Sequence, residues 1–193
     1  AFADPTLADG AINRMKRVVQ AAHVLGCNAA AVKVKAADSP AELDAAAKRI
    51  RMVSEPAEKM DISLLISPHT GLTSTPERVT DLIKKVGGFR VGTFPDFQAA
   101  AASKDPTAYL RRITPYASSV CASTVAFKEG TPPVHTAYDL NLMVQAVLSV
   151  GYDAALTIDY RGPGDSTLGV TQTRDALLAA LKLDEVGPTD EEL

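Results

Sequence analysis

The chain has 193 residues, of which 46% are hydrophobic and 22% are charged, and its formal net charge is -3. This composition is typical of one globular domain that buries a substantial core. The small negative charge, with Lys and Arg scattered along the chain, argues against a nucleic-acid partner. The longest apolar stretches are strand-sized and far below the roughly 20 residues of a membrane helix, so no membrane partner is expected.

The cellular compartment is predicted from the cysteines and the first residues. Cys27 and Cys121 lie in separate apolar contexts, which argues against a disulfide framework and favours a reducing compartment. The first residues lack a positively charged region followed by an apolar one, so they do not form an intact signal peptide. We therefore predict a cytoplasmic protein, and because residue 1 is Ala we expect further sequence before it.

Hydrophobic periodicity predicts alternating helices and strands. Apolar residues recur every three or four positions from residue 12 to residue 25, which predicts an amphipathic helix that Gly26 ends. The predicted strands then cover residues 29–35, 62–67, 89–93, 118–125 and 154–160. The predicted helices that follow these strands cover residues 40–60, 76–86, 106–113, 136–150 and 169–181. Ser39, Thr75 and Asp105 are the expected N-terminal caps of the first three.

Strands that alternate with helices indicate an α/β fold with a parallel sheet and right-handed crossovers. The sheet is either an open doubly wound sheet or a β/α barrel. No glycine-rich phosphate loop of the nucleotide-binding open sheets occurs in the sequence. In a barrel, functional residues lie at the carboxyl ends of the strands. Here those ends are rich in polar or reactive side chains, namely Ser67, His69, Asp96, Cys121, Asp159 and Arg161. This distribution favours the barrel.

Four ordered segments carry a resemblance to a known family. They are residues 64–76 (LLISPHTGLTSTP), 92–97 (GTFPDF), 115–124 (PYASSVCAST) and 151–162 (GYDAALTIDYRG). Together they resemble the xylose-isomerase-like sugar phosphate isomerases/epimerases. The resemblance implies a (β/α)8 TIM barrel of which this chain covers about strands four to eight. It also implies that residues 1–183 are a partial barrel, with three strand-helix units missing before Ala1, and that residues 184–193 are an acidic tail.

The resemblance also implies a metal site, which this chain alters. Members of the family bind a divalent cation such as Mn²⁺, Mg²⁺, Zn²⁺ or Co²⁺ through two Glu, one Asp and one His. By position these ligands become Ser67, Asp96, Cys121 and Asp159. Because a serine hydroxyl is a weak ligand, the expected metal ligands are Asp96, Asp159 and Cys121. A protein without a metal cofactor is the alternative.

The same resemblance gives roles to the other polar side chains. Asp159 and His69 are the expected catalytic residues, and His69, Arg161 and Ser67 are the expected substrate-binding residues. Each has a structural alternative. Asp96 could only cap a loop and Asp159 could only pair with Arg161, while Cys121 could be a small buried apolar residue. Two further histidines, His23 and His135, are expected at the surface.

Two main functional hypotheses follow, and the substitutions leave open whether the protein is an enzyme. The first is an isomerase or epimerase of carbohydrate metabolism that acts on a small carbohydrate or sugar phosphate by metal-assisted proton transfer next to a carbonyl. The second is a non-catalytic carbohydrate-binding or subunit-interaction barrel that has lost its metal. A lyase that uses the same pocket is a third. A homo-oligomer is compatible with all of them.

Overall fold

The computed structural model describes residue 4 and residues 6–181. The α-helices are α1 (Ala8–Val24), α2 (Pro40–Glu58), α3 (Pro76–Val86), α4 (Phe97–Ala101), α5 (Pro106–Ile113), α6 (Leu140–Leu148) and α7 (Ser166–Leu181). The strands are β1 (Ala29–Lys33), β2 (Ser63–Ser67), β3 (Val91–Thr93), β4 (Ser119–Thr124), β5 (Phe127–Lys128), β6 (Val134–His135) and β7 (Ala155–Tyr160). A short 3-10 helix, Thr114–Tyr116, follows α5.

Five parallel strands lie in the order β1-β2-β3-β4-β7, as a three-stranded sheet followed by a two-stranded sheet. β2 pairs in parallel with β1 and with β3, and β4 pairs in parallel with β7. The two groups are joined by isolated bridges between Thr93 and Ala117 and between Asp96 and Cys121. The predicted parallel strands are thus confirmed. Within the described residues, β1 and β7 each pair on one side only, so the sheet is an open arc.

The core lies between the outer face of this arc and the helices. Alternate strand residues face the helices, as period-two patterning requires: Ala30 and Val32 of β1 are 7% and 6% exposed, and Leu64 and Ile66 of β2 are 1% and 0% exposed. The facing helix residues include Ile50, Leu82, Leu110 and Val144, all 0% exposed. The intervening strand residues point to the concave side, where the functional side chains lie.

The predicted helix caps are confirmed by hydrogen bonds to the first turns. Ser39 Oγ accepts from the Glu42 N–H at 3.3 Å, and Thr75 Oγ1 accepts from the Arg78 N–H at 3.4 Å. Asp105 Oδ1 accepts from the Ala108 N–H at 2.9 Å. Each cap satisfies a helix N–H that has no partner within the helix. The caps therefore mark where the loops before α2, α3 and α5 end.

The helix predicted over residues 136–150 is shorter, because it begins at Leu140 and ends at Leu148. Asp139 caps it, with its Oδ1 accepting from the Leu142 N–H at 3.0 Å. The residues before the cap form an antiparallel hairpin of β5 and β6. Strands of two residues carry no readable periodicity, so the sequence does not reveal the hairpin.

The surface location expected for His135 is wrong, because its side chain packs inside the hairpin and the residue is 7% exposed. The Val125 N–H donates to Nε2 at 3.2 Å, and Nδ1 lies 3.0 Å from the Tyr138 carbonyl oxygen. These partners assign the proton to Nδ1. The ring centroid lies 5.3 Å from that of Phe127 and 4.1 Å from that of Tyr138. The other expected surface histidine, His23, is exposed.

Two further observations bear on the predicted organisation. No helix in the described part of the chain has both the length and the apolar character needed to cross a membrane. The predicted acidic tail at residues 184–193 lies outside the described residues.

Stability is expected to fall when the pH is lowered below about 6.5, the ordinary pKa of histidine, because burial lowers the pKa of His135 in the folded protein. The unfolded chain then binds a proton that the folded chain does not bind, so protonation favours unfolding. The contribution is complete above pH 6.5 and is lost as the pH falls towards the lowered pKa. Urea denaturation between pH 5 and pH 8 measures this slope.

The matched variant is His135→Gln. It should have a lower free energy of unfolding at pH 8, and its free energy of unfolding should depend less on pH between pH 5 and pH 6.5. His23→Gln removes an exposed histidine and is the control. An equal slope in the wild type and in His135→Gln would contradict the assignment.

Candidate functional site

Four of the predicted site residues meet at the carboxyl ends of β3, β4 and β7. One nitrogen, Nη2 of Arg161, lies 2.6 Å from Asp96 Oδ2 and 2.7 Å from Asp159 Oδ2. The same nitrogen lies 3.5 Å from Cys121 Sγ. We call Asp96, Cys121, Asp159 and Arg161 the Arg161 cluster. Its two carboxylates and its thiol surround a single cationic group.

Asp96 is held in place by its neighbours on both sides. Its Oδ1 accepts from the Ala99 N–H at 3.0 Å, which caps the short helix α4, and from Ser123 Oγ at 2.9 Å. The Cys121 N–H donates to the Pro95 carbonyl at 2.8 Å, which ties the β3 end to β4. Asp96 thus caps a helix and also contacts Arg161. The capping alternative weighed for Asp96 is therefore present, and its role as a metal ligand stays a prediction.

The register of β4 and β7 sets the other members of the cluster. Ser123 lies opposite Asp159 in the pairing. Arg161 continues the ladder, its N–H donating to the Thr124 carbonyl at 2.8 Å. The next residue is Gly162, where an added Cβ would lie 1.7 Å from the Val125 carbonyl oxygen. The backbone after β7 therefore runs directly against β4, and the Arg161 side chain starts from a fixed point.

The planar guanidinium of Arg161 donates hydrogen bonds to several partners. Its Nε donates to Asp159 Oδ2 at 2.8 Å, and its Nη1 donates to Gln98 Oε1 at 3.1 Å. A guanidinium suits such multiple contacts because its N–H groups are fixed in one plane. Its side chain is 34% exposed, and that of Asp159 is 46% exposed. The cluster is therefore anchored at Asp96 and open to a ligand at Asp159.

The surroundings shift the pKa values of the cluster. Burial alone would raise the pKa of Asp96, but hydrogen bonds from Arg161 and from the Ala99 N–H outweigh it and lower the pKa. Burial raises the pKa of Cys121 to about 12, and the negative charge of Asp96 acts in the same direction. Asp96 is thus a carboxylate and Cys121 a protonated thiol at neutral pH.

Two predicted site residues lie outside the cluster. Ser67 ends β2 and is 6% exposed, and across the described residues no hydrogen bond or ion pair joins it to Arg161, Asp96 or Asp159. His69 lies in the loop after β2, where the Thr70 N–H donates to its Nδ1 at 2.6 Å. That bond leaves Nε2 to carry the proton of the neutral ring. Ligand binding by Ser67 and by His69 therefore stays a prediction.

Three contacts of the cluster are missing from the sequence prediction. Gln98 binds Arg161, Ser123 binds Asp96, and the Tyr138 hydroxyl donates to the Ser123 carbonyl. Ser123 could have been found, because it lies two residues after Cys121 on the same face of β4. Gln98 and Tyr138 lie in a short helix and a loop, where spacing does not indicate side-chain direction.

Two cavities lie away from the cluster. One of about 630 Å³ is lined by residues including His135, Tyr138 and Leu140, and one of about 600 Å³ by residues including Glu77, Tyr109 and Arg112. Neither contains a cluster residue. We give more weight to the strand ends, because barrels of this architecture place their chemistry there and an open arc does not enclose its concave side.

No protein-family model and no curated protein matches the sequence. Solved structures do match. An L-ribulose 3-epimerase superposes with a TM-score of 0.74 at 12% identity, covering 94% of this chain and 71% of its own. The chain has the fold of the xylose isomerase-like TIM barrels. This confirms the predicted fold class, and the coverage agrees with a partial barrel.

Two other solved structures agree. A D-tagatose 3-epimerase-like protein has a TM-score of 0.74 at 14% identity, covering 93% of this chain and 72% of its own. A xylose isomerase-like TIM barrel protein from Mycobacterium smegmatis in complex with magnesium has a TM-score of 0.70 at 17% identity, covering 94% of this chain and 69% of its own. At sequence identities of 12% to 17%, the similarity to these proteins shows the fold alone.

The donors of this chain do not fit a divalent metal as they stand. No three His, Cys, Asp or Glu side chains in the described residues are arranged to hold a metal ion. Both carboxylates already bind the Arg161 guanidinium, and the thiol would have to lose a proton whose pKa is about 12. A metal and the guanidinium would compete for the same oxygens, so we derive no catalytic step through a metal.

Asp96→Ala should lower the free energy of unfolding by about 1–3 kcal/mol, because it removes a cap and leaves Arg161 and Ser123 without a buried acceptor. Asp44→Ala is the matched control, since it breaks the Lys85 ion pair of a 62% exposed carboxylate on helix α2 and exposed pairs contribute little. Urea denaturation at pH 7 measures both. Equal losses would contradict the structural role of Asp96.

The two thiols should differ in reactivity. Cys27 is exposed, whereas Cys121 is buried and its thiol pKa is raised to about 12, and the thiolate is the reactive form. Iodoacetamide at pH 8 should therefore label one cysteine in the folded protein and both in urea, as counted by mass spectrometry. Cys27→Ala should then be unlabelled when folded. Rapid labelling of Cys121 in that variant would contradict its burial.

Proposed function

We propose that this protein binds a small carbohydrate at the carboxyl ends of β3, β4 and β7. The observation that carries the proposal is the Arg161 cluster, in which two carboxylates and a guanidinium converge at the edge where barrels bind their ligands. Carboxylate oxygens accept hydrogen bonds from sugar hydroxyls, and a guanidinium donates to sugar oxygens. This mixture of acceptors and donors suits a molecule with neighbouring hydroxyl groups.

The exposed side of the Arg161 cluster has atoms that are available to bind a ligand. Within the described residues, the hydrogen bonds and ion pairs of Asp159 use Oδ2, so its Oδ1 can accept from a ligand hydroxyl. The side chain of Arg161 is 34% exposed. Asp96, Asp159 and Arg161 together carry one net negative charge, which favours a neutral sugar over a sugar phosphate.

Carbohydrate as the ligand class is supported by fold-level analogy, because an L-ribulose 3-epimerase and a D-tagatose 3-epimerase-like protein share the fold. A shared fold does not by itself carry over an activity. The residues favour binding without metal-assisted catalysis, because Arg161 engages the carboxylates that a metal would need. Within this proposal, His69 and Ser67 line the same concave side from β2.

Isomerase or epimerase chemistry is the second candidate, and Asp159 is the observation that favours it. A half-exposed carboxylate at a barrel strand end is a chemically competent base for a proton next to a carbonyl. In this candidate Asp159 removes the proton and His69 is the partner acid. Metal-assisted transfer by Asp96, Asp159 and Cys121 would first require Arg161 to leave.

Calorimetric titration with ketopentoses, ketohexoses and their phosphates tests the proposal. We expect a neutral ketose to bind, and Arg161→Ala and Asp159→Ala to weaken binding by about tenfold or more, equivalent to about 1.4 kcal/mol. Arg90→Ala, which removes an exposed arginine paired with Asp61, should leave the affinity unchanged. Absence of binding to every sugar would contradict the proposal.

Proton NMR in deuterated water separates the two candidates in the same samples. Binding without exchange of the proton next to the ketose carbonyl is expected. Exchange that needs Asp159 and persists in a chelator would instead establish the isomerase or epimerase candidate. Cytoplasmic location, homo-oligomerisation and the lack of a nucleic-acid partner stay predictions.

A further inference from the structure

Gln98 is an exposed side chain at the edge of the Arg161 cluster. Its Oε1 accepts from Arg161 Nη1 at 3.1 Å. Because a guanidinium has donors only, the amide oxygen faces it and the Nε2 group lies on the other side of the planar amide. Within the described residues, the hydrogen bonds of Gln98 use its backbone and its Oε1. The N–H groups of Nε2 are therefore available to donate to a ligand.

The backbone of Gln98 is held in place by a closed set of hydrogen bonds. Its N–H donates to Ser123 Oγ at 2.9 Å, and Ser123 Oγ donates to Asp96 Oδ1 at 2.9 Å. Arg161 closes the ring, because it binds Asp96 through Nη2 and Gln98 through Nη1. The preceding residue, Phe97, is 0% exposed. The amide of Gln98 is thus anchored at both its backbone and its oxygen, which orients the free Nε2.

The donors of Arg161 are largely engaged inside the cluster. Nε donates to Asp159 Oδ2, and Nη2 lies 2.6 Å from Asp96 Oδ2 and 2.7 Å from Asp159 Oδ2. Nη1 donates to Gln98. A ligand at the exposed side therefore meets the acceptor Asp159 Oδ1 and the donors of the Gln98 amide. The same planar guanidinium positions both groups.

We propose that Gln98 is a specificity-determining residue, whose Nε2 donates to an acceptor-only oxygen of the bound carbohydrate while Asp159 Oδ1 accepts from a hydroxyl. This inference rests on the proposed function, because it requires a carbohydrate at the Arg161 cluster. The acceptor-only oxygen of a ketose is the carbonyl oxygen of its open form or the ring oxygen of its cyclic form. The corresponding sugar alcohol has hydroxyl groups only, and each of these can also donate.

The informative substitution is Gln98→Glu, because it keeps the contact with Arg161 and reverses the character of the free group. A carboxylate accepts from a guanidinium as the amide oxygen does, but its second oxygen is an acceptor as well. An acceptor-only oxygen of a ketose would then face another acceptor. A hydroxyl of the sugar alcohol can instead turn its proton towards the carboxylate. The substitution should therefore weaken the binding of the ketose and spare that of the alcohol.

The experiment is a calorimetric titration of the wild type and of Gln98→Glu with two ligands, the neutral ketose that binds the wild type most tightly and the sugar alcohol obtained by reducing it. The ratio of ketose affinity to alcohol affinity should fall by about tenfold in the variant, because one hydrogen bond is replaced by two opposed acceptors. If Gln98 served only to hold Arg161, the ratio would not change, since Glu keeps that contact.

The matched control is Gln20→Glu, which makes the same charge change at an exposed position of helix α1. It should leave both affinities unchanged. If Gln98→Glu does not fold by circular dichroism, Gln98→Met replaces it, because Met is uncharged, is similar in size and has no N–H to donate. The ketose affinity of Gln98→Met should be lower by about fivefold, and an unchanged affinity would overturn the inference.

The outcomes distinguish this inference from the proposed function. A folded Gln98→Glu with the affinity ratio of the wild type overturns the inference and leaves carbohydrate binding intact. An equal fall of the ratio in Gln20→Glu also overturns the inference alone. A wild type that binds no ketose overturns both.

Discussion

The ion pair between Arg161 and Asp96 joins the two halves of the sheet. β1, β2 and β3 form one continuous ladder and β4 pairs with β7. Between these two groups the described residues show isolated bridges, Thr93 with Ala117 and Asp96 with Cys121, in place of a continuous ladder. Arg161 reaches from the end of β7 across β4 to the end of β3 at 2.6 Å. The same contact that organises the site therefore helps to hold the arc of strands together at its carboxyl edge.

The same contact also balances charge at the strand ends. Asp96 and Asp159 both place a carboxylate oxygen at this edge, so they need a cation between them. Arg161 supplies one from within the chain, and Gln98 and Ser123 orient the two partners. The guanidinium thus balances one of the two negative charges, and the side chain of Asp159 remains 46% exposed.

The sequence predicted the elements whose signals are local and repeated. The five parallel strands and the caps Ser39, Thr75 and Asp105 follow from patterning and from hydrogen-bonding side chains. The hairpin around His135 could not be predicted, because its strands have two residues each and the ring is buried by contacts with Phe127 and Tyr138, which lie outside the periodic segments. Arg161 was expected to bind substrate, but its contact with Asp96, 65 positions away, depends on sheet curvature.

Gly162 shows how a steric constraint can control a charge. Only a residue without a Cβ fits beside the Val125 carbonyl. Glycine therefore lets the chain after β7 lie against the end of β4, and from there the Arg161 guanidinium reaches Asp96. The location of positive charge is therefore set by backbone packing, while residue 161 decides only which group is delivered there. A different side chain introduced at position 161 would therefore begin from the same point of the backbone, at the carboxyl end of β7.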